Sequence, residues 1–429
     1  MRKFMDEDFL LTTQTARLLY HLYAAKLPII DFSAKLRTGD CSAERHWSSI
    51  ADILLSNDAA HRAMRSCGID KKFITGDASD YEKFRAWCTC MPSMIGNPLF
   101  HIHHLALRRY FGCTLIINSR NCDAIWAETA EQLSSLAYSS RTLIANAHLN
   151  AICIPEDPVN TPNNDIAHNA NTSCPMQVYP LLAPDRLMEI DRTGFSAYLT
   201  KLGDANGFHI TDLASLEAAL VAAFDRFEAA GCRGVSVSLT DFTAFVRPDP
   251  YHADQALRTA QKTDGREVSP EQLACFRAQI MRLLGRECVR RNRTMQLHFA
   301  AETSITAQNL LLSYLTDEGA LPPTAAYPHV ILTRVPTVKA AVSGDAPGSL
   351  REQIGSLAEN SALGKSLGLS SHASLPLIPA QHEYFRRTLC AQLGEWVEGG
   401  LYPADTEALA ELVCDICFNN AKNFFGLGL

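Results

Sequence analysis

A chain of 429 residues, 47% of them apolar, can bury a sizeable core, as one large barrel or as two or three ordinary domains. Its net charge of −7, with no basic stripe, excludes nucleic acid as the main partner. No apolar run reaches the ~18 residues of a membrane span, and the acidic opening "MRKFMDEDFLL" does not read as a signal peptide.

In chain order, the first β-rich run is "LPIIDF" (27–32), apolar and ending near an acid. More than a hundred residues then pass before the next, "NAICIP" (150–155). That interval holds "AERHWSSIADILLSND" and "DASDYEKFRAWCTCM", both helical in period, so residues 37–148 are predicted to be a helical insertion over the mouth of the fold. "MQVYPL" (176–181) and "RGVSVSL" (233–239) follow, separated by a helix opened by Thr211 and Asp212 and closed at Gly231. The Asn- and Pro-rich loop 156–175 is predicted to cover the mouth. Ser269 as N-cap, Pro270 and Gln272 announce a long helix through a capping box. Its end, "RECVRRNR" (286–293), reads as a solvated C-terminal turn where cations suit the helix dipole. "TMQLHFA" (294–300), "HVILTRV" (329–335), "KAAVSG" (339–344) and "SLGLSSH" (366–372) complete eight strands. Apolar strands alternating with helices predict an α/β fold, a single (β/α)₈ TIM-like barrel spanning residues 1–429.

Fourteen cysteines are scattered along the chain, with Cys88/Cys90 and Cys414/Cys417 the close pairs. No second pair completes a zinc knuckle, so the thiols read as small apolar fillers in a reducing, cytoplasmic protein.

Several segments are unusual enough to carry a family resemblance. "FMDEDFLLTTQTARLLYHLYAAKLPIIDF", "TGDASDYEKFRAW" (75–87), "GNPLFHIHHLALRRYFG" (96–112), "HEYFRRTLC" (382–390) and "ICFNNAKNFFG" (416–426) resemble uronate isomerases, a divergent branch of the amidohydrolase-like barrels. The resemblance implies interconversion of D-glucuronate with D-fructuronate and of D-galacturonate with D-tagaturonate. Such an aldose–ketose isomerisation needs a base that moves a proton between C2 and C1. It also needs a cation at the enediolate oxygen and another at the substrate carboxylate.

The resemblance further implies a divalent metal held by a His-x-His pair after strand one and an Asp after strand eight. In this chain those places hold Ser33, Lys35 and His372. Ser374 stands at the place of an Arg, and Ala183 at the Arg of an Arg-Pro-Asp run. Val235, Ser236 and Val237 replace a Ser-Asp-His run, and Thr303 an Arg after His298. A serine hydroxyl is a poor ligand and an ammonium repels a cation, so no metal and no other cofactor is expected.

The expected site is therefore a dismantled one. His372 and Lys35 are the candidate catalytic groups; Asn97, His101, His104 and His298 are candidate substrate contacts. His103 is expected at the surface and His382 as a packing or capping residue. Lys35 is expected either to face the mouth or to pair with an acid such as Asp31. Three functions follow from the sequence: a family member that is inactive or strongly impaired, a metal-independent isomerase using Lys35, His298 and His372, or a non-catalytic binding or scaffolding paralogue. A small hexuronate is the expected ligand, with no nucleic acid and no membrane; a homo-oligomer is compatible with the sequence.

Overall fold

The computed structural model describes residues 3–36, 46–135, 139–161, 176–242, 244–300, 303–315, 330–334, 337–344 and 349–429. All eight predicted strands form, and they lie in one sheet in chain order. They are β1 (Ile29–Asp31), β2 (Leu149–Glu156), β3 (Gln177–Leu182), β4 (Gly234–Leu239), β5 (Thr294–Phe299), β6 (Val330–Arg334), β7 (Thr337–Ser343) and β8 (Leu369–Ser370). β1 to β5 pair in parallel, as do β7 and β8.

Among the described residues, the parallel pairing fails at β6. β6 is antiparallel to both β5 and β7. Only residues 335 and 336 separate β6 from β7. A parallel crossover needs a dozen residues or more, so two strands this close in sequence pair antiparallel. The ring meets beyond the strands: the Lys35 amide donates to the Ala373 carbonyl at 3.1 Å, joining the segments after β1 and β8.

Strand alternation sorts side chains between the barrel lumen and the helices. Val235, Val237 and Leu239 of β4, with Met295, Leu297 and Phe299 of β5, join an outer apolar cluster. Ser236 and His298 share the opposite, inner face, where their side chains hydrogen-bond. β4 and β5 approach so closely that a Cβ on Gly234 would collide with the Thr294 carbonyl. The N-terminal end of the lumen is filled by Ile30, Cys153, Tyr179 and Leu181 together with Phe424, Phe425 and Leu427 of the C-terminal segment. The rings of Phe32 and Phe425 stack at 5.5 Å.

Between β1 and β2 lie the helices of the predicted insertion. Counting Gln14–Leu18 as α1, these are α2 (Ile50–Leu54), α3 (Asp58–Ser66), α4 (Asp80–Cys90), α5 (Pro98–Phe111), α6 (Cys122–Leu133) and α7 (Ser140–Asn146). Ser79 and Glu82 form a capping box that starts α4. Asn97 caps α5, which ends at Gly112 in the left-handed conformation that glycine adopts without strain. These helices share one core with Ala34 and Leu36 after β1 and with Ala373, Leu375 and Leu377 after β8.

Downstream come α8 (Phe195–Asn206), α9 (Leu213–Ala229), α10 (Pro250–Thr263), α11 (Pro270–Arg291), α12 (Ile305–Leu315), α13 (Leu350–Asn360), α14 (Ile378–Glu398), α15 (Thr406–Cys414) and α16 (Asn420–Phe425). The Asp212 cap and the Ser269–Gln272 capping box fall where the sequence predicts. The basic end of α11 is less solvated than expected. The Arg291 side chain is 5% exposed and pairs with Asp225, Glu228 and Glu287, while Arg293 holds Glu228. Most of the loop 156–175 lies outside the described residues.

Candidate active site

The C-terminal ends of β1, β4, β5 and β8 bring five polar side chains together. Ser370 Oγ, at the end of β8, donates to Ser33 Oγ at 2.7 Å. It also lies 3.1 Å from His372 Nε2. His372 has φ +53, a left-handed conformation that costs a non-glycine residue about 1 kcal/mol and persists where the surroundings impose it. The imidazoles of His372 and His298 meet edge to face at 4.9 Å. His298 Nε2 then lies 3.1 Å from Ser236 Oγ on β4. Burial, followed by the charges that His372 and Lys35 can carry, holds the His298 pKa well below the usual histidine value. His298 is therefore neutral near neutral pH. The bonds joining this string run from hydroxyl to hydroxyl or hydroxyl to imidazole. Such a string can exchange hydrogen bonds with a polyol, and its neutral imidazole can accept a proton.

Beneath Ser33, the fully buried Asp31 turns outward, away from the string. Its carboxylate accepts the Ser33 amide at 3.1 Å and lies 3.1 Å from Nε2 of His382 on α14. Asp31 and His382 thus fix the backbone on which Ser33 is carried. Burial lowers the His382 pKa more than Asp31 raises it, so a neutral imidazole that donates to the carboxylate describes the pair. His382 packs, as expected, but inside α14 rather than at its opening.

The remaining candidates separate from the string. Lys35 is exposed and pairs with Asp58 at the start of α3, its Nζ 3.9 Å from the carboxylate, so its acid is Asp58 rather than Asp31. Asn97 Oδ1 accepts the Leu99 amide as the cap of α5. His104, expected at the substrate, braces the core: Nδ1 lies 2.5 Å from the Phe100 carbonyl, and Nε2 accepts the Ile117 amide at 3.0 Å. His101, expected beside it, packs its ring against Phe9 and Tyr384. His103, expected at the surface, is completely buried against Trp87. Residues 102–107 of α5 are all buried, so a histidine in this stretch faces protein on either side of the helix. Ser370 and the Asp31–His382 pair escaped the sequence reading. The period-two alternation of "SLGLSSH" could have put Ser370 on the face of His372; nothing local could have joined Asp31 to His382.

The profile of the glucuronate isomerase family matches residues 1–320 and 342–425. The uronate isomerase of Caldanaerobacter subterraneus subsp. tengcongensis is 32% identical over 469 aligned positions covering all of both chains. The chain belongs to the uronate isomerase family. The barrel agrees with two crystal structures at the level of fold. The uronate isomerase of Thermotoga maritima superposes with a TM-score of 0.83 at 23% identity, over 99% of this chain and 100% of that one. The glucuronate isomerase of Caulobacter crescentus gives 0.85 at 18% identity, over 99% and 98%. The stretch missing from the family match, 321–341, contains the antiparallel β6 and the start of β7.

Ser33, Lys35 and His372, at the places where the resemblance implies a divalent metal, do not offer it a set of ligands. Ser33 and His372 are both engaged by the Ser370 hydroxyl, and Lys35 brings a positive charge turned toward Asp58. Among the described residues, no three His, Cys, Asp or Glu side chains gather as ligands would. Among the described residues, no helix is long and apolar enough to cross a membrane.

Proposed function

We propose that this chain is a uronate-isomerase-family barrel that has lost the metal-assisted isomerisation of hexuronates. The observation that supports this reading is the Ser33–Ser370–His372 hydrogen-bonded string, which engages two of the three positions where the resemblance implies metal ligands. Without a Lewis acid or a clamping cation, a developing enediolate has only neutral donors at the string, which stabilise an oxyanion far less than a cation does. The α2–α7 layer, packed on the segments after β1 and β8, supports the reading of residues 37–148 as a cover of the mouth. The relatives' names point to a sugar acid as the ligand class.

One observation favours a second reading, a metal-independent isomerase. The paired imidazoles of His298 and His372, 4.9 Å apart, could share a proton between neighbouring substrate carbons, with Lys35 supplying charge nearby. A non-catalytic binding or scaffolding role remains the third.

The deciding experiment assays purified protein on D-glucuronate and D-galacturonate, with and without zinc or manganese, beside the C. subterraneus relative. Absent or strongly reduced turnover in every condition supports the first reading. Turnover without metal that is abolished by His298→Ala and by His372→Ala supports the second. Robust turnover untouched by either substitution overturns both.

A further inference from the structure

Of the cysteines among the described residues, most are buried and Cys67 is the exposed one. It follows α3 as its C-cap, its amide donating to the Ala63 carbonyl at 3.0 Å while the Gly68 amide takes the Arg65 carbonyl at 2.9 Å. Cys90, the last residue of α4, comes from the neighbouring helix and is 2% exposed. Both line one open depression of about 670 Å³, together with Ser66, Thr89, Ser93 and Met94. The Cys90 thiol donates to the Ala86 carbonyl at 3.3 Å, and Cys67 is its thiol neighbour at the depression. Burial, then the proximity of Cys67, pushes the Cys90 pKa up to about 12, so Cys90 stays a thiol while Cys67 meets solvent.

We propose that Cys67 and Cys90 form a paired-thiol modification site, oxidised reversibly to a disulfide by a peroxide that enters through the depression.

The steps balance. The Cys67 thiolate attacks one oxygen of hydrogen peroxide; the O–O bond breaks and hydroxide leaves, becoming water with the proton Cys67 released. Cys67 is now a sulfenic acid. The Cys90 sulfur attacks the Cys67 sulfur, the S–O bond breaks, and the departing hydroxide takes the Cys90 proton. Two thiols are oxidised to one disulfide, and one peroxide is reduced to two waters. A thiol reductant reverses the change.

The same helix carries a comparison pair. Cys88 also has a thiol neighbour, Cys122, but both lie in the core, 0% and 2% exposed. Both pairs are thiol neighbours, but access differs. Access decides which thiol meets the oxidant first.

The position gives the modification a route to the barrel mouth. α3 runs from Asp58, which holds Lys35, to Ser66 beside Cys67. Ser56, just before α3, lies 2.6 Å from the Ser374 hydroxyl in the segment after β8. A Cys67–Cys90 bond fastens the far end of α3 to α4 and so restrains the helix that holds Lys35.

Full-length protein, titrated with hydrogen peroxide under native conditions, tests this by intact mass and non-reducing peptide mapping. The expected product has lost two hydrogens, carries a cross-link between Cys67 and Cys90, and reverts with dithiothreitol. Cys67→Ser, an exposed conservative change, should abolish the product without altering the circular dichroism. Cys90→Ser should let Cys67 proceed to the sulfinic acid. Hydrogen exchange should slow in α3 of the oxidised protein. Addition of oxygen to wild-type Cys67 with no cross-link, or a cross-link mapping to Cys88 and Cys122, overturns the proposal. Equal loss of two hydrogens by Cys67→Ser overturns it as well.

Discussion

Replacing His103 by leucine should leave the protein at least as stable near neutral pH and more resistant to acid. His103 sits in the middle of α5 with no exposed surface, its ring 5.0 Å from that of Trp87. Neither ring nitrogen has a hydrogen-bond partner. Burial, then the neighbouring His104, pushes its pKa from 6.5 down to about 3. The unfolded chain therefore takes up a proton near 6.5 while the folded chain does not. The stability tied to neutral His103 is present above the unfolded value and is lost as pH falls toward the folded one. At about pH 5, some 1.5 units below the unfolded pKa, the loss is about 2 kcal/mol at ~1.36 kcal/mol per unit. That is a large share of a typical stability of about 5–15 kcal/mol. Leucine has nothing to protonate and gives up no hydrogen bond, and a buried polar group without a partner costs about 1–3 kcal/mol on its own. The assay is urea unfolding of both proteins at about pH 7.5 and pH 5, followed by tryptophan fluorescence. The stability gap between variant and wild type should widen in the variant's favour by about 2 kcal/mol on acidification. An equal gap at the two pH values would refute the depressed pKa. A loss above ~2 kcal/mol at neutral pH would mean that the imidazole makes a hydrogen bond whose removal leaves its partner buried and unpaired.

His382→Ala leaves the buried Asp31 carboxylate with the Ser33 amide alone, and should cost about 3–5 kcal/mol in chemical denaturation; a loss below ~1 kcal/mol would show that another donor takes over. Gly234→Ala drives a methyl into the Thr294 carbonyl and should cost at least ~2 kcal/mol, read as a lowered melting temperature. An unchanged melting temperature would mean that β4 and β5 can separate at no cost. Joint substitution Ser33→His, Lys35→His and His372→Asp should restore zinc binding, measured by calorimetry and elemental analysis, more readily than isomerase activity, because Ala183, Ser236 and Ser374 stay as they are. Failure of that variant to bind zinc would show that these three positions do not form one corner of the mouth.

Much of the fold was legible in the sequence because its signals are local. Eight apolar runs became eight strands, and Asp212, Ser269 and Gln272 capped their helices as written, since a cap needs only residues three apart. That Ser33 and Lys35 are poor ligands for a divalent metal was equally plain, because ligand chemistry belongs to the residue type. Tertiary structure decided what depends on distant partners. The antiparallel turn of β6 follows from its pairing with β5 and β7. Lys35 went to Asp58 and Asp31 to His382, and histidine periodicity on α5 could not tell a pocket from a core, because both faces of that helix are covered. The string from Ser33 to Ser236 joins residues up to 337 positions apart, so it exists only once the barrel has drawn β1, β4, β5 and β8 to one end.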